Sequence, residues 1–101
     1  MLKLTSIVSD TYTNSAGYTL FLALDKYIKA NDCVELSFEG ATPTSSSFLN
    51  SSFGAIIDAH GMDKLKTSVK ITHLSIGEQQ ILRKFFSGFD KQVAQSIRPK
   101  T

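Results

Sequence analysis

The sequence predicts an α/β fold: one small domain in which a mixed or partly parallel sheet is covered by about three helices. Apolar residues alternate with polar ones in three short stretches and recur at helical spacing in three longer ones. The two kinds of stretch take turns along the chain, and right-handed crossovers would then make the strands at least partly parallel. With 101 residues, 42% hydrophobic and 20% charged, the chain suits a single hydrophobic core. One domain over 1–101 is expected, with 96–101 as a flexible tail.

The first strand is read over Leu2 to Val8, where Leu2, Leu4 and Val8 share one face. Asp10 to Ser15 is a run of turn-forming and capping residues. Leu20, Phe21, Leu24, Tyr27 and Ile28 then recur at helical spacing up to Asn31-Asp32. Cys33 to Phe38 reads as a second strand, with Val34, Leu36 and Phe38 on one side and Glu35 on the other. Gly40 to Ser47 is glycine, proline and hydroxyls, before Phe48, Leu49, Phe53, Ile56 and Ile57 resume a helical stripe. His60-Gly61 ends that helix, since a glycine in the left-handed conformation is a common stop.

Val69 to Leu74 alternates again as a third strand. Ser75-Ile-Gly-Glu78 matches a capping box, in which hydroxyl and carboxylate each accept from the other residue's backbone N–H. The last helix runs through Ile81, Leu82, Phe85, Phe86, Phe89 and Val93, weakened by Gly88 and stopped by Pro99.

Composition narrows the function. Net charge is only +2 and the basic residues are spread from Lys3 to Lys100, which argues against a nucleic-acid footprint. Lys64, Lys66, Lys70, Arg83 and Lys84 read as solvated surface. No stretch reaches the length needed to cross a bilayer, and the first residues lack the hydrophobic region of a signal peptide. A single cysteine permits no intrachain disulfide and no thiolate metal cage. A cytoplasmic location is expected, with no membrane, metal or cofactor.

No hydrolase elbow and no phosphate-binding glycine loop occurs in the sequence, so no catalytic residue is expected. His60 and His73 have no histidine at ligand spacing and read as structural or surface residues. Asp58 lies two residues from His60 and faces another direction. Cys33 reads as a small buried hydrophobe, and Phe85, Phe86 and Phe89 as core.

The segment richest in chemistry runs from Phe38 to Gly54, a strand passing through a hydroxyl-rich loop into a helix. Ser45, Ser46 and Ser47 fall at the helix start, where unpaired N–H groups and a partial positive charge favour an anion or a phosphoserine. Simple N-capping accounts for the same serines equally well. A small enzyme or a domain holding an anionic ligand at this helix start is the alternative to a protein-docking role.

Val34-Glu-Leu-Ser-Phe-Glu-Gly-Ala, followed by Ser45-Ser-Ser-Phe-Leu-Asn and Phe53-Gly54, resembles the STAS-like domains. These are relatives of the sulfate-transporter and anti-sigma-factor-antagonist domains. The resemblance implies a prokaryotic-type, non-catalytic regulatory module in signalling. Its partner would be a protein, such as a histidine-kinase-like ATPase or anti-sigma-type kinase. It also implies a phosphorylated serine at position Ser46, with Ser45, Ser47, Phe48 and Asn50 around it as partner-binding candidates. The sequence departs from that pattern where antagonists carry an aspartate before the serine, here Ser45, and where the strand aspartate is Ser37. The arginine expected ahead of the first helix is absent, with Asn14 and Ser15 nearby.

Overall fold

The computed structural model describes the backbone of residues 1–97 and the side chains of residues 1–88. Residues 98–101, most of the expected tail, lie outside the described residues, as do the side chains of Phe89 and Val93. Three strands, β1 (Leu2–Lys3), β2 (Val34–Ser37) and β3 (Val69–Thr72), form one sheet in the order β1-β2-β3. Both pairings are parallel. Leu2 pairs with Leu36, Val34 with Val69 and Leu36 with Ile71, so the apolar residues share one side of the sheet. Lys3, Glu35, Ser37, Lys70 and Thr72 share the other.

The first strand is shorter than the sequence suggested. After Lys3 the chain makes a single helical turn, α1 (Leu4–Ile7), closed by a 3.1 Å bond from Val8 N–H to Leu4 O. Leu4 and Val8 are four residues apart, a spacing that buries both from a helical turn as readily as from a strand. Both are buried and the intervening Thr5 and Ser6 are exposed.

Helix α2 (Asn14–Lys29) begins where the capping residues place it. Thr13 Oγ1 accepts from Ala16 N–H at 3.1 Å, and Asp10 holds Thr13 through its backbone and hydroxyl. Ala16, Leu20, Leu24 and Ile28 form the buried stripe. The helix ends in a Schellman motif at Asn31, whose φ is 58°. Asn31 N–H bonds Ile28 O at 3.0 Å and Asp32 N–H bonds Tyr27 O at 2.8 Å.

The second crossover is three helical pieces and a π-helical turn: α3 (Ser46–Leu49), the turn over Asn50–Gly54, α4 (Ala55–His60) and α5 (Met62–Ser68). At the turn, the buried Ser52 hydroxyl donates to Phe48 O at 2.8 Å, competing with the amide that an α-helix would place there. Gly61 does end α4, with φ 94° and ψ 156° instead of a left-handed helical geometry. That extended positive-φ region is open essentially to glycine alone, and it lets the chain turn directly into α5, which the sequence reading missed.

Gly17 marks a close approach between helices. A Cβ there would lie 2.6 Å from Phe48 O and 2.7 Å from Ser51 Cβ, so α2 sits directly on the backbone of α3 and the π turn. Around this contact the core gathers Leu4, Leu20, Leu24, Leu36, Phe48, Leu49, Phe53 and Ile56, each 1% exposed or less. Helix α6 (Ile76–Ile97) adds the buried Leu82, with Ile81, Phe85 and Phe86 packed partly against the core. Phe86 meets Phe53 at 5.8 Å, and Phe53 in turn stacks near Phe38 at 6.5 Å. Among the described residues, no helix is long and apolar enough to cross a membrane.

Candidate functional site

The serine segment leaves β2 and begins α3, and it treats its three serines differently. Ser45 is the cap: its Oγ accepts from Phe48 N–H at 3.1 Å and its hydroxyl donates to Tyr12 O at 2.9 Å. Ser46 and Ser47 are exposed on the first turn, and neither side chain makes a hydrogen bond within the described residues. Asn50 is exposed one turn further on. Phe48 corrects the expectation of a partner contact. It is 0% exposed and lies in the core beneath the segment, because a helix that buries one stripe carries position 48 inward when 46, 47 and 50 face out.

Two sets of bonds hold the loop ahead of these serines. On one side Thr11 Oγ1 lies 2.7 Å from Thr42 Oγ1 and donates to Pro43 O at 3.1 Å, while Ser45 N–H donates to Thr11 O at 3.1 Å. On the other, Glu78 of α6 accepts from Thr44 N–H at 3.1 Å and from the Thr44 hydroxyl at 2.5 Å. Glu78 is only 5% exposed. The capping box read from Ser75 and Glu78 is therefore half built. Ser75 Oγ accepts from Glu78 N–H at 3.1 Å, but the carboxylate is spent on Thr44, where a buried N–H and hydroxyl would otherwise lack partners. Its charge lies on the first turn of α6, the favourable end of the helix dipole.

Asp10, below the same loop, accepts from Tyr12 N–H at 3.0 Å and from Thr13 N–H at 2.9 Å. The Tyr12 backbone bond is the largest influence and holds its carboxyl below the usual value; burial opposes it, and the Thr13 backbone and hydroxyl bonds add to the lowering. Tyr12 itself is 64% exposed beside Ser45, and Tyr18 on α2 is 56% exposed. Aromatic side chains thus stand out near the hydroxyls, a feature that helical spacing alone did not single out.

Both histidines have partners distant in sequence. His60 Nε2 lies 2.6 Å from Asp25 Oδ1, and Lys29 Nζ lies 3.0 Å from Asp25 Oδ2. His60 first and Lys29 second lower the Asp25 carboxyl from its usual range. His73 Nδ1 lies 2.9 Å from Ser37 Oγ. Cys33 departs from its reading as a buried hydrophobe: it precedes β2, is exposed, and its thiol lies 3.6 Å from Thr67 O. Among the described residues, no group of three or more His, Cys, Asp or Glu side chains is arranged to hold a metal ion.

Comparison with curated proteins and with solved structures finds no match to either. A family model does match, over residues 16–77, which takes in most of α2, the serine segment and all of β2 and β3. The chain belongs to the family described as the STAS-like domain of unknown function, DUF4325.

Proposed function

We propose that this domain is a non-catalytic regulatory module that docks on a partner protein through the exposed start of α3. The observation that carries the reading is the division of labour among the serines. Ser45 is consumed as a cap, whereas Ser46 and Ser47 stand exposed with free hydroxyls above a rigidly stitched loop. Asn50, Tyr12 and Tyr18 extend that surface with one amide and two aromatic side chains, the last a residue type favoured at interfaces.

Ser46 is the proposed switch. A phosphoryl group there would add up to two negative charges and three acceptor oxygens at the first position of a helix, where the dipole stabilises them. The docking surface would change from neutral to anionic without disturbing the core beneath. The proposed partner is a histidine-kinase-like ATPase, which would also supply the phosphoryl group.

The test measures binding of such an ATPase to the unmodified chain and to Ser46→Asp, Ser47→Asp and a remote control, Ser87→Asp. Weaker binding by the first two and unchanged binding by the third is expected. Equal binding by all four removes this surface from the interaction.

A further inference from the structure

β3 ends the sheet, so one of its edges faces no neighbouring strand among the described residues. The ladder with β2 fixes which backbone groups lie on that edge. Thr72 O accepts from Phe38 N–H at 2.9 Å, so Thr72, and Lys70 two residues before it, turn their N–H and C=O toward β2. Val69 and Ile71 alternate with them and turn theirs outward. Val69 N–H is taken up by Leu65 O at the end of α5. The Val69 C=O and both backbone groups of Ile71 are left on the open edge, where each needs a partner or water.

A groove lies beside these groups. Met62, Leu65 and Lys66 of α5, Val69 and Ile71 of β3 and Phe86 of α6 line an open space of about 220 Å³, room for an aliphatic side chain. Apart from Lys66 its walls are apolar, and they continue the core side of the sheet, on which Val69 and Ile71 lie. Lys66 and Lys70 are exposed, and neither is in an ion pair among the described residues. The two share a neighbouring hollow with one carboxylate, that of Glu35, which also accepts from the Thr72 hydroxyl at 2.9 Å. One acid against two ammonium groups leaves this end of β3 net positive.

We infer that the free edge of β3 docks an extended segment of a partner protein, added as a fourth strand, in which apolar and acidic residues alternate. The segment's backbone bonds Ile71, its apolar side chains enter the groove, and its carboxylates meet Lys70 on the polar side and Lys66 at the rim. Charge selects this occupant. The chain's own end carries Arg98 and Lys100, and β3 of a second copy carries Lys70 and no acid. None of the residues of the serine surface takes part, so this site stands whether or not that surface docks a protein.

The test selects a library of random short peptides against the full chain and adds the enriched peptides to isotope-labelled protein. Those peptides are expected to alternate apolar and acidic residues, and to slow amide exchange at Ile71 several-fold by NMR while Lys70 and Thr72, already bonded to β2, are unchanged. Ile71→Pro removes the outward N–H, spares the ladder with β2 and should abolish binding, with circular dichroism confirming the fold. Lys66→Glu combined with Lys70→Glu should lose the acidic peptides and accept counterparts with lysine in place of each acid. Should the proline variant not fold, exchange in the parent and the charge reversal decide. No enriched peptide, peptides without that alternation, or binding that leaves Ile71 exchange unchanged overturns the proposal. So does an Ile71 amide already protected without peptide, either at every concentration, the mark of the chain's own end, or only at high concentration, the mark of a second copy.

Discussion

Glu78 and Thr44 are joined twice, through the Thr44 backbone N–H at 3.1 Å and its hydroxyl at 2.5 Å, across 34 residues of sequence. The contact pins the first turn of α6 to the loop that delivers the serines. Glu78→Ala strands a buried N–H and is expected to cost about 1–3 kcal/mol. Glu78→Gln, which keeps an acceptor, should cost less. Urea unfolding midpoints decide it, and an unchanged midpoint for Glu78→Ala means the clamp contributes nothing.

Gly17 and Gly88 make opposite predictions for one substitution. Alanine at 17 meets Phe48 O and Ser51 Cβ at under 3 Å, so overpacking is expected to cost about 1–3 kcal/mol despite the better helix propensity. Alanine at 88 meets nothing within 4 Å and should stabilise by about 0.5–1 kcal/mol. Thermal melts of the two variants should move in opposite directions.

Acid should weaken the fold through Asp25 and Asp10. Both carboxyls titrate below their ordinary 3.8 in the folded chain, Asp25 chiefly through His60 and Asp10 chiefly through the Tyr12 N–H. A folded value below the unfolded one means each carboxylate contributes stability above 3.8 that is lost as pH falls through the folded value. Asp25→Asn and Asp10→Asn should therefore be less stable than the parent near neutrality and converge with it in acid. Parallel stability curves across that range would refute the assignment.

Phe48 and Ser46 are near neighbours with different fates. Phe48→Ala empties a fully buried site and is expected to cost about 3–5 kcal/mol, a large share of the stability of a small domain. Ser46→Asp adds a charge at a helix start and should stabilise by about 0.3–1 kcal/mol. Denaturant titration checks both. It also separates lost binding caused by unfolding from lost binding caused by a changed surface.

Much of the architecture was legible because it is written in local periodicity. The alternation of Val34, Leu36 and Phe38, the stripe from Leu20 to Ile28, and helix starts such as that at 45–47 depend on neighbours a few residues away. The short pieces were not legible. Leu4 and Val8 satisfy two periods at once, and the seven residues of α5 are too few for a stripe to show. The π turn depends on Ser52 reaching back to Phe48 O, which no spacing records. At the site, the serines' place at the helix start and Phe48's place in the apolar stripe were readable, but not which serine caps and which two stand exposed. The partners of Glu78, His60 and His73 lie more than thirty residues away. Such pairings are set by which helix lies beside which loop, and only the assembled fold supplies that.

The all-parallel sheet also sets an order of events at the ribosome. Leu2 finds Leu36, and Val34 finds Val69, only after an entire crossover has been made. No hairpin is available to start the process, so α2 can coil as soon as it emerges, whereas each ribbon waits for the next to be synthesised. Nascent β2 thus keeps an unpaired edge until β3 has been synthesised, the interval in which a chaperone has most to offer this chain.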